Sequence, residues 1–160
     1  MNPSEAPDGF ELLDLISGYS VAFGLVYLNR SKRKLGFRVE KSHLNPYGLC
    51  HGGAMATFAD LQVIAVKDAP GIKPGFSPTV SMSVDYLSPA RLGEWVEATV
   101  TLAKATRSLI FTQALITANC EPVARATGLY RNLGLDAQRA AKMGQSSDGM
   151  EESASCLSSR

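Results

Sequence analysis

Apolar and polar positions alternate over much of this chain. Val80, Met82, Val84 and Tyr86 alternate with Ser81, Ser83 and Asp85, the period of a strand with one apolar face. Ser88-Pro89 stops it, because proline has no N–H to give a ladder. Three more β-rich runs follow, Trp95 to Lys104, Leu109 to Ala118 and Val123 to Leu133, separated by Thr106-Arg107-Ser108 and by Asn119 to Pro122. Short turns between consecutive strands predict an antiparallel meander. Upstream, Val21 to Asn29 and Leu35 to Lys41 flank a basic turn at Arg30 to Lys34 and predict a hairpin.

Two segments have a helical period instead. Ala54 to Val66 is strong in helix formers, apolar nearly all round and preceded by Gly52-Gly53, which predicts a buried central helix. Phe10, Leu13 and Ile16, with Leu12 beside them, follow a Pro7-Asp8-Gly9 turn signal and predict a short amphipathic helix ending before Gly18. The expected architecture is α+β: an antiparallel sheet of five to six strands curved around one long helix placed between the second and third strands. Residues 1–9 are expected to be a flexible start, 10–134 the folded domain, and 135–160, rich in Ser and small residues, a disordered tail.

Composition narrows the function class. The chain has 160 residues, 45% hydrophobic and 19% charged, enough for one domain with a real core. Lys and Arg total 16 against 15 Asp and Glu, a net charge of +1 that gives no field for holding a nucleic acid. No apolar run approaches the roughly 18 residues of a membrane span, and the acidic, proline-bearing start is unlike a secretory signal. The three cysteines, Cys50, Cys120 and Cys156, lack CxxC spacing, as in reduced intracellular proteins. A cytoplasmic enzyme or binding domain is the expectation.

The central helix carries one charge, Asp60, and a carboxylate on a buried apolar helix is costly unless paired or used. Ion-paired, it is structural; desolvated among Phe58, Leu61 and Ile64, its pKa would rise toward that of a general base. The loop from His43 to Gly53 leads into the helix, whose first amides lack intrahelical acceptors. The amides of Gly52 or Gly53, with Asn45 or His51 as side-chain donors, make a candidate oxyanion site; alternatively the glycines only permit a tight helix start. Cys50 has no basic cluster to mark it as a low-pKa nucleophile. His43, Cys50 and His51 lack metal-ligand spacing, and no Walker or Rossmann motif occurs, so no metal, ATP or NAD is expected.

Asn45-x-x-Gly48-x-x-His51-Gly52-Gly53, with Asp60 nine positions after His51, resembles the signature of hotdog-fold acyl-CoA thioesterases of the PaaI-like, phenylacetate-pathway branch. The resemblance continues through Pro78-Thr79-Val80 and Tyr86 to Gly93, and covers residues 10 to 134; Cys50 departs from it, standing where relatives often carry an aliphatic residue. It implies sheets of two subunits joined edge to edge, as a homodimer or homotetramer, with active sites at the dimer interface. It also implies that the Gly52 amide, with Asn45 and His51, polarises the thioester carbonyl while Asp60 of the partner subunit serves as general base or nucleophile and Thr79 orients the water. By the same resemblance Gly53 lies against the substrate, Tyr86 and Ser81 near the pantetheine, and Lys104 and Arg107 near the phosphates. Coenzyme A enters only as part of the substrate, and no cofactor is expected. The alternative is a non-catalytic hotdog domain that binds an acyl-CoA or aromatic ligand.

Overall fold

In the computed structural model, residues 6–15 and 19–135 are described. One antiparallel sheet contains β1 (Glu11–Leu12), β2 (Tyr27–Asn29), β3 (Lys34–Arg38), β4 (Thr79–Tyr86), β5 (Trp95–Ala105), β6 (Leu109–Ala118) and β7 (Glu121–Arg131), in the order β1-β2-β3-β5-β6-β7-β4. The β2–β3 hairpin and the β5–β6–β7 meander follow the alternation in the sequence. β4 crosses to the far side of the meander and pairs with β7 alone, from Thr79 opposite Tyr130 to Tyr86 opposite Ala124, so it forms one edge of the sheet.

The helix α2 (Gly52–Asp60) continues into a 3-10 segment, Leu61–Val66, and the sheet curves around both. Small inward residues, Ala98, Ala114, Ala124 and Ala126, leave room for the helix, and Phe37, Phe58, Val96 and Ile116 fill the space between the layers. The Phe37 and Phe58 rings lie 4.7 Å apart, joining sheet to helix. On the hairpin, Gly36 is favoured for a packing reason: a Cβ there would sit 2.1 Å from the Trp95 ring.

Four expectations need correction. The sheet has seven strands rather than five or six, the extra one being β1. The segment around Phe10 to Leu13 is not helical, because its backbone pairs with β2 and the Leu13 N–H donates to Val26 O at 2.8 Å; Ile16 lies outside the described residues. Val21 to Asn29 is not one strand: α1 (Tyr19–Phe23) occupies its first part, Gly24 turns the chain at φ +113°, and only Tyr27–Asn29 joins the sheet. The central helix is α-helical only to Asp60, then tightens. Of the expected flexible start at 1–9, residues 1–5 lie outside the described residues, and so do residues 136–160 of the expected tail at 135–160. Among the described residues no helix is long and apolar enough to cross a membrane.

Candidate active site

The loop before α2 is organised by Asn45. Its Oδ1 accepts from the N–H groups of Tyr47 (2.9 Å) and Leu49 (3.2 Å), its own N–H donates to Leu49 O, and Gly48 supplies the positive φ of +74° that closes the turn. The side-chain oxygen is thereby fixed, which orients Nδ2 as the free donor end of the amide. Further on, the Cys50 N–H donates to Ala90 O at 2.8 Å, tying the loop to the segment after β4. Burial pushes the Cys50 thiol up to about 11, so it stays protonated at neutral pH and is a poor nucleophile.

His51 is the N-cap of α2: its Nδ1 accepts from the Gly53 N–H at 2.8 Å. That bond uses the Gly53 amide and fixes the neutral tautomer with the proton on Nε2. Gly52 stands at the first helical position, where the amide has no intrahelical acceptor. On its other side, the Tyr86 hydroxyl donates to Gly52 O at 2.9 Å, with the ring about where a Cβ would touch it. Asn45, Cys50, Gly52, Tyr86, Leu87 and Ser88 line a cavity of about 330 Å³. His51 and Gly53 open instead onto a separate cavity of about 390 Å³ with Tyr19, Phe23 and His43. The chain thus brings Asn45 and Gly52 together and turns the His51 ring away from them.

Asp60 sits at the opposite end of α2. It is half-buried, and the Thr79 hydroxyl, at the first position of β4, donates to its Oδ1 at 2.7 Å. The deep burial expected of this carboxylate is not supplied by a single chain. Asp60 and Thr79 line a cavity of about 400 Å³ with Leu61, Ile64, Phe76 and Lys67. Lys67 spans one wall, donating to Gly75 O and Ser77 Oγ, both at 2.6 Å; desolvation pushes its ammonium below the usual lysine range. Eight residue steps of α-helix lead from Gly52 to Asp60, roughly 12 Å of rise. The two halves of the expected constellation therefore face different cavities of one chain.

The remaining expected residues lie apart from both cavities. Ser81 is exposed on β4, and Lys104 and Arg107 are exposed at the β5–β6 turn, where Arg107 O accepts from Lys73 Nζ at 2.8 Å. Sequence reasoning missed Gln62 and Tyr130, buried polar residues packed beside Asp60. Gln62, a second polar residue on the apolar helix next to Asp60, was a signal available in the sequence. Among the described residues no group of three or more His, Cys, Asp or Glu could hold a metal ion.

Comparison with known proteins finds similar sequences and similar folds. The thioesterase superfamily profile matches residues 47–121, a span that holds the turn around Gly48, all of α2 and β4. Human acyl-coenzyme A thioesterase 13 is 37% identical over 85 residues, 50% of this chain and 56% of that protein, so the match spans about half the length of that curated relative. A hypothetical thioesterase from Streptococcus pneumoniae, solved with coenzyme A, superposes with a TM-score of 0.58 at 21% identity, covering 81% of this chain and 93% of that one. A single-residue variant of the phenylacetic acid degradation protein PaaI from Thermus thermophilus superposes at 0.57 and 22% identity, covering 78% and 94%. The chain has the hotdog fold of these structures, and its residues 47–121 are similar to the thioesterase superfamily.

Proposed function

We propose that this protein hydrolyses an acyl-CoA thioester to the free acid and coenzyme A, in a site built from Asn45 and Gly52 of one subunit and Asp60 and Thr79 of another. The observation that carries the reading is the pairing of Asp60 with the Thr79 hydroxyl, beside an apolar cavity, at the end of α2 remote from the free Gly52 amide. A carbonyl held by Gly52 is out of reach of Asp60 on the same helix, so a second copy must supply the carboxylate. The free edge of β4 supports such an assembly, because an unpaired strand next to the site can add a second sheet. The acyl-coenzyme A activity named for a relative and the coenzyme A bound to a structural neighbour support the substrate class.

In this reaction the Gly52 N–H, helped by the α2 dipole and Asn45 Nδ2, stabilises the oxyanion that forms on the thioester carbonyl. Thr79 holds Oδ1 of Asp60, which leaves Oδ2 to take the proton from the attacking water. Collapse of the tetrahedral intermediate expels the coenzyme A thiolate, a leaving group that needs little acid assistance, and coenzyme A participates only as part of the substrate. Cytoplasmic residence is part of the proposal and follows from the cysteine usage.

Release of free thiol from a panel of aryl-, medium- and long-chain acyl-CoAs, run beside Asp60→Ala, tests the reading. Turnover that disappears in the variant supports it. Tight acyl-CoA binding without turnover by the wild type would replace it with a ligand-binding role.

A further inference from the structure

We infer that Tyr130 is a positioning residue for Asp60, holding the backbone of the carboxylate-bearing residue while Thr79 holds its side chain. This rests on the proposed role of Asp60. Thr79 and Tyr130 are opposite one another in the β4–β7 pairing, so their side chains leave the sheet on the same face. Both end on the same residue: Thr79 Oγ1 donates to Asp60 Oδ1 at 2.7 Å, and the Tyr130 hydroxyl donates to Asp60 O at 3.0 Å. Asp60 is also where the helix changes from α to 3-10, so the Tyr130 hydroxyl meets the backbone at the junction of the two. Two cross-strand neighbours therefore grip the one helical residue whose direction the chemistry depends on.

The hydroxyl, rather than the ring, is what needs explaining. Tyr130 is fully buried, and a phenylalanine would fill the same volume without a polar atom to satisfy. The strand has been shaped for the ring: a Cβ at Gly128 would sit 2.5 Å from the Tyr130 ring and 2.6 Å from its hydroxyl. Around the phenol oxygen the core is also polar, with the side chains of Thr112 and Gln62 beside it. The Gln62 amide is fully buried and is aligned on no partner in this conformation, a cost that an apolar residue would avoid. Burial, followed by the Asp60 charge, pushes the Tyr130 phenol far above the ordinary tyrosine range, so it remains a donor at every pH at which the protein would work.

The test compares Tyr130→Phe with wild type in kcat, KM and thermal midpoint, with Asp60→Asn as the reference. A positioning role predicts a kcat about tenfold lower with KM within about twofold, because ground-state binding is left intact. Gly128→Ala, which keeps the tyrosine but evicts its ring, is expected to reproduce the same split. If Asp60→Asn abolishes turnover while Tyr130→Phe keeps wild-type kcat, even with a lowered thermal midpoint, the hydroxyl is purely structural and the inference is overturned. If Asp60→Asn retains full turnover, the proposed function fails instead, and the two failures are told apart by that variant alone.

Discussion

At the scale of single residues, the site depends on two polar side chains fixed by other polar groups: Asn45 by the turn it closes and Asp60 by Thr79. Removing the base should be far more damaging than removing its anchor. Asp60→Asn is expected to lower kcat by about 10²–10⁴-fold, and Thr79→Ala by roughly tenfold, both with KM little changed in steady-state thiol release. Cys50 gives a pH prediction. Its thiol holds its proton to about 11 in the folded chain against 9.0 for an unperturbed thiol, so the unfolded chain gives up that proton first. Stability should therefore be complete below about pH 9 and decline toward pH 11. Urea midpoints at about pH 8 and about pH 10.5, wild type against Cys50→Ala, would show the decline shrinking in the variant. Asp60 was legible in the sequence because a single charge on an apolar helix is an anomaly. Tyr130 was not, since a tyrosine in a strand is ordinary until its hydroxyl is seen to point at Asp60.

At the scale of elements, regular patterns were readable and tertiary choices were not. The meander from Trp95 to Arg131 followed alternation and turn chemistry, which are local. Phe10 to Leu13 has helical spacing yet joins the sheet through the Leu13 amide and β2, a contact that spacing along the chain does not reveal. Similarly, Gly24 divides a run of β-formers into a helix and a strand, because its left-handed backbone redirects the chain. The hairpin offers a direct check on packing. Gly36→Ala would drive a methyl into the Trp95 ring from 2.1 Å, and β3 and β5 must separate or the indole must leave its place. We expect a loss of about 1–3 kcal/mol in chemical denaturation, with the substituted protein still folded.

At the scale of the whole molecule, the separation of Asn45 and Gly52 from Asp60 makes assembly part of the chemistry. Asn45→Ala and Asp60→Ala should each be nearly inactive alone. Mixed in equal amounts by co-expression, they should recover about a quarter of wild-type activity, because half of the dimers then hold one intact site of two. Recovery of nothing would place both residues in the same subunit's site. Light scattering should find no active monomer. The sequence displayed the constellation as a spacing along the chain. Its division between two cavities came into view only once α2 had a length and a direction.

β4 is the outermost strand, yet its first residue grips Asp60 and its last grips Gly52, at opposite ends of α2. The strand behaves as a key cut at both tips. Sliding it by one residue would turn Thr79 and Tyr86 to the other side of the sheet together, unhooking the two contacts in one step. An edge strand is also the part of a sheet most exposed to pairing with the wrong partner. Mispairing at this border would thus disconnect both ends of α2 at once, leaving a silent aggregate.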